Sequence, residues 1–135
     1  MTRFAGGDVN DRIDGIIVGR SPLVRASMTN AGHLVFGAGP IRLAVDTGFT
    51  GDIALSRVVL SRLRLDYAGS VPYILADGTE REMKQWIGTT FVGRSGSRRY
   101  NAVFVEGDGL VGMRFMSANF RTLRMDFPAG RFHLT

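Results

Sequence analysis

The apolar run Leu43-Ala44-Val45 leads straight into Asp46, Thr47 and Gly48. A carboxylate at the end of a strand is a candidate for acid–base work, since the strand holds it while the turn beyond keeps it accessible. Asp, Thr and Gly are also common turn residues, so the tripeptide alone reads equally well as a turn. Two other segments supply context: Asp77-Gly78 between apolar stretches, and Leu110-Val111-Gly112 at the foot of a later strand.

Other chemistries are excluded in turn. His33 and His133 lie far apart and form no metal-ligand spacing, so neither a metal site nor a histidine-based triad is expected. With no cysteine there is no thiol nucleophile, disulfide or cysteine-ligated zinc. Gly37-Ala38-Gly39 lacks the third glycine and following helix of a dinucleotide loop, and Gly93-Arg94-Ser95-Gly96 lacks the form of a nucleophile elbow. No cofactor is expected.

The elements that must position Asp46 are mostly strands. Eighteen glycines in 135 residues, about twice the usual share, punctuate short apolar segments. Period-two alternation marks Tyr100, Ala102 and Phe104, then Leu123, Met125 and Phe127, then Phe132 and Leu134, with Pro128-Ala129-Gly130 as the turn of a terminal hairpin. Early strands are expected near Gly15 to Val18, Val24 to Met28, Leu34 to Phe36 and Ile41 to Val45. Asp77-Gly78 suits a type I′ turn joining Tyr73-Ile74-Leu75 to Met83 to Phe91. One helix starts after Ser56, with Leu55, Val58, Val59 and Leu63 on its apolar face and an end before Gly69; another runs from Met113 through Phe120, with Met113, Met116 and Phe120 on one face. The fold class is therefore all-β, a small barrel or sandwich with one or two short helices.

The net charge of +5 raises the question of nucleic acid. Its 17 basic residues are scattered and include one lysine, Lys84, with no run longer than Arg98-Arg99, and Tyr100 beside that pair is the only hint of a stacking residue. Nucleic acid is not an expected partner. No apolar run approaches the roughly 20 residues of a membrane helix. Met1 to Arg20 is polar and broken by Gly6, Gly7 and Gly15, so neither export nor a membrane is expected, and the location implied is cytoplasmic.

With these residues in place, the chain resembles the retropepsin-like aspartic proteases, including their small single-domain bacterial and archaeal members. Val45-Asp46-Thr47-Gly48-Phe49-Thr50-Gly51-Asp52 followed by Ile53-Ala54-Leu55 is similar to their catalytic loop and next strand. Leu75-Ala76-Asp77-Gly78-Thr79 is similar to their flap hairpin, and Leu110-Val111-Gly112-Met113 to their hydrophobic-hydrophobic-glycine element. Leu123-Arg124-Met125-Asp126-Phe127 is similar to the family's terminal pattern, and the likeness spans roughly Val24 to the C-terminus.

The resemblance implies a small closed barrel with a flap, occupying residues 21–135 behind an extension, 1–20, of unassigned role. It implies catalysis by Asp46, Thr47 and Gly48, and substrate contact by Phe49 and by Leu75, Ala76, Asp77, Gly78 and Thr79 of the flap. Because no second Asp-Thr-Gly or Asp-Ser-Gly occurs, the carboxylate pair needs Asp46 of a second copy, so a homodimer acting on a peptide or protein is expected. Thr47 would bond across the two-fold axis, Gly48 would let its N–H approach the carboxylate, and Gly112 would admit the catalytic loop. Phe49 stands where the retroviral pattern has Ala or Ser, Gly51 displaces the acidic pair expected soon after the glycine and leaves Asp52, and Met113 precedes Arg114, leaving an Arg114 to Asp52 pair open. The alternative function is a noncatalytic dimerisation or peptide-binding module of the same fold.

Overall fold

Alternating apolar residues carry most of the chain into strands. In the computed structural model, which describes residues 12–30, 33–34, 41–63, 65–92 and 99–135, the elements run β1 (Ile13–Val18), β2 (Ser21–Asn30), β3 (His33–Leu34), β4 (Ile41–Val45), β5 (Ile53–Leu55), α1 (Arg57–Ser61), β6 (Asp66–Ile74), β7 (Glu80–Val92), β8 (Arg99–Glu106), β9 (Leu110–Val111), α2 (Met113–Asn119), β10 (Leu123–Asp126) and β11 (Arg131–Leu134). The protein is all-β with two short helices. One sheet orders its strands β10-β11-β1-β2-β4-β9-β5-β8-β7-β6, with β3 on β2. The far half of β2 also pairs with the end of β7, Ala26 opposite Val92 and Thr29 opposite Thr89. Most pairings are antiparallel, but β4 with β9 and β5 with β8 are parallel.

The core is built on the inward positions of these strands. Phe104, Phe115, Phe132, Leu43, Ile53 and Val111 are fully buried. Tyr100 joins them, its ring edge-on to Phe115 at 5.1 Å between centroids, so it offers no face on which a base could stack. In the segment set apart as an extension, Ile13–Val18 is β1 and lies between β11 and β2. Gly15 sits opposite Phe132, where a Cβ would lie 2.1 Å from the ring.

Several expectations need correction. The first helix ends before Gly69 as expected, but at Ser61, so that Leu63 lies outside it, and β6 begins at Asp66, ahead of the expected strand start at Tyr73. Pro72 is tolerated there because β6 ends the sheet and pairs only with β7, and Gly69, at φ 97°, takes up a bulge. Ser56 caps the helix, its Oγ accepting from Val59 N at 3.3 Å, yet Val58 faces solvent while Val59 and Leu60 pack on the core. In α2 the buried residues are Phe115 and Met116, and Met113 is exposed. Phe127 belongs to the terminal turn and is 65 % exposed. The expected strand residues Val35 and Phe36, the turns at Ala31-Gly32 and at 37–40, Gly93 to Gly96 and Arg98 lie outside the described residues.

Candidate active site

β4 delivers Asp46 at its C-terminal end, and the loop after it folds back on the start of α2. Asp46 N donates to Val111 O at 2.9 Å, continuing the parallel β4–β9 pairing by one residue. Asp46 O accepts from Phe49 N at 3.1 Å, closing a turn, and Asp46 Oδ1 accepts from Gly48 N at 2.8 Å. Asp46 is half-buried, and its Oδ2 has no partner among the described residues.

The loop also caps a helix. Gly112 is the N-cap of α2 and has no side chain to satisfy the first helical N–H groups. Loop carbonyls take that place: Phe49 O accepts from Met113 N at 2.8 Å and Gly51 O from Arg114 N at 3.2 Å. In return Gly112 N donates to Asp52 O at 2.8 Å. This closeness requires glycine, because a Cβ on Gly112 would lie 2.2 Å from Gly51 O and 2.7 Å from Phe49 O. Gly48 is less tightly held, a Cβ there standing 3.2 Å from Asp46 Oδ1.

The sequence-derived residues divide into two groups. Asp46, Thr47, Gly48, Phe49 and Gly112 come together. Thr47 is exposed, its hydroxyl has no partner among the described residues, and it borders a groove with Met113, Met116 and Phe120. Phe49 sets its ring against the backbone of its own loop, near Gly51 and Gly112. Asp52 is almost wholly buried, and its Oδ2 accepts from Val103 N at 2.8 Å. Arg114 shares a cavity with Asp52 but forms no ion pair with it among the described residues. The role of α2 as the partner of the loop was absent from the sequence reading, although Gly112 directly before an apolar helical pattern was its signal.

Leu75, Ala76, Asp77, Gly78 and Thr79 form the second group. Before Gln85, the first β7 residue paired with β8, β7 is paired by β6 alone, so Ser70–Ile74 and Glu80–Lys84 make a two-stranded arm. Its tip is not the expected type I′ turn. Leu75 N donates to Thr79 O at 2.8 Å and Gly78 N to Leu75 O at 2.9 Å, which makes Ala76 and Asp77 the central residues and leaves Gly78 at φ 87° to rejoin the strand. Val71, Met83, Tyr73 and Arg81 share one face of the arm, while Pro72, Ile74, Glu80 and Glu82 share the other.

Among the described residues no group of three or more His, Asp or Glu could hold a metal ion, and no helix is long and apolar enough to cross a membrane. No protein-family model, no curated protein and no solved structure matches the chain.

Proposed function

We propose that this chain is a retropepsin-like aspartic endopeptidase whose two carboxylates come from Asp46 of two copies. The observation that carries the reading is the Asp46 loop itself. It presents a half-buried carboxylate at a strand end, with Oδ1 fixed by Gly48 N and Oδ2 open. The nearest acidic residue along the loop, Asp52, is committed to Val103 N, and the reading takes the second reactive carboxylate from Asp46 of another copy. The unpartnered Thr47 hydroxyl suits a bond across such an axis.

Two carboxylates held close together share one proton, because both cannot ionise cheaply. The ionised one takes a proton from a water that attacks the peptide carbonyl carbon. The protonated one gives its proton first to the carbonyl oxygen, and a proton then passes to the leaving nitrogen as the C–N bond breaks. The arm closes over the peptide and excludes bulk water, strengthening these interactions. The return of β2 onto β7 supports a closed barrel, since β2, β4, β9, β5, β8 and β7 then pair in a ring.

Sedimentation at micromolar concentration tests the assembly, with a species of twice the chain mass expected. A strictly monomeric protein, even with a peptidic inhibitor, would remove the mechanism. Activity should peak on the acid side of neutrality, where the pair holds one proton, and activity confined to alkaline pH would require different chemistry.

A further inference from the structure

On the outward face of the sheet, Arg25 of β2 stands directly opposite Arg42 of β4. Like charges in a cross-strand pair repel and cost stability. Both side chains are exposed, and among the described residues neither has an ion pair or hydrogen bond. They border a cavity of about 330 Å³ whose other walls include Ile16, Leu23 and Gly15. Ile16, Leu23 and Ala44 continue this outward face, in register opposite one another.

The single acidic residue on the cavity wall is already engaged. Asp14 Oδ1 receives Arg12 Nε at 2.7 Å and lies 2.6 Å from His133 Nδ1. Those contacts hold its carboxyl below the ordinary range, the Arg12 hydrogen bond most of all. Asp14 therefore serves Arg12 and His133 and does not neutralise Arg25 or Arg42.

We propose that the Arg25–Arg42 pair and the apolar wall beside it form a binding site for a small phosphate monoester that carries an apolar group. Two guanidinium groups on adjacent strands present several N–H donors to one phosphoryl group, and the dianion relieves their mutual repulsion. Ile16 and Leu23 cover the apolar group. The site is independent of peptide cleavage.

Phenyl phosphate titrated into the isotope-labelled protein, with inorganic phosphate in parallel, tests the proposal by amide shifts. Saturable shifts confined to residues 14–16, 23–25 and 41–43 are expected, with phenyl phosphate tighter than phosphate. Arg25→Gln and Arg42→Gln should each weaken binding at least about tenfold, because a hydrogen bond to a charged group is lost, while Arg81→Gln on the arm should not change it. Neither variant should melt below wild type, since each removes one of two repelling charges, and melting also shows that the variants fold. Equal binding by Arg25→Gln and wild type would overturn the proposal. So would the absence of saturable shifts, or shifts spread evenly over every arginine-bearing surface.

Discussion

Two aspartates in this chain make the same local turn. Asp46 Oδ1 accepts from the amide two residues on, Gly48 N, at 2.8 Å, and Asp77 Oδ1 does the same with Thr79 N at 2.8 Å. Their surroundings differ. The Asp46 loop is sewn to the β9–α2 junction by backbone bonds from Asp46, Gly112, Met113 and Arg114, whereas the Asp77 turn is held by its own two strands. A carboxylate within a three-residue turn is thus commonplace. What distinguishes Asp46 is that a distant segment fixes the backbone around it, so the carboxylate is held in one place without giving up both oxygens.

The contrast can be broken most severely at Gly112. Gly112→Ala sets a methyl against the Gly51 carbonyl at a distance no backbone tolerates. Either α2 or the Asp46 loop must then move, and a loss of roughly 3 kcal/mol or more is expected in denaturant unfolding. A loss below 1 kcal/mol would mean that the loop and the helix are not tightly joined.

Gly78→Val strikes the arm instead. The position has φ 87° but nothing within 4 Å, so the cost is conformational rather than steric packing. Placing a β-branched residue there costs on the order of 1–2 kcal/mol, paid by the arm alone. Amide shifts should change from about residue 70 to 84 with the Asp46 loop unaltered, and under the proposed function the dimer mass is kept while peptide binding weakens. Unaltered cleavage would separate the arm from substrate.

The smallest effect is electrostatic. Hydrogen bonds from Thr79, side chain first and then backbone, hold the Asp77 carboxyl below the ordinary range. A depressed pKa favours the folded turn above the unfolded-state value, and that contribution is lost as pH falls through the lower folded-state value. The Thr79 amide shift should therefore follow the Asp77 carboxyl at a pH below the ordinary carboxylate range, and Asp77→Asn should abolish that dependence. Global stability should hardly respond, because the group is fully exposed.

These differences also mark what was legible in the sequence. Alternation placed β8, β10 and β11 well, because a period-two pattern with one buried face leaves few alternatives. The Ser56 cap was equally plain, since its side chain bonds within its own turn. The expected strand starts only at Tyr73, whereas β6 begins at Asp66, because Gly69 and Pro72 argue against a strand unless it is an edge strand with a bulge, and edge position is a property of the whole sheet. The Asp77 turn was misassigned by one residue, as Asp-Gly fits either a two-residue loop or the end of a longer one. Gly112 is legible through the resemblance, which implies that it admits the catalytic loop, but the carbonyls that require glycine there lie some sixty positions earlier in the chain, where no local pattern shows them.

The most direct measurement is peptide-library cleavage by wild type beside Asp46→Asn, across pH 3 to 8, with sedimentation of both proteins. Asn keeps the size of the side chain and an oxygen for Gly48 N but cannot share a proton, so cleavage should vanish while fold and dimer survive. Equal cleavage by the two proteins would contradict the assignment of Asp46. If neither cleaves any peptide and both bind the same partner equally, the chain is a noncatalytic module.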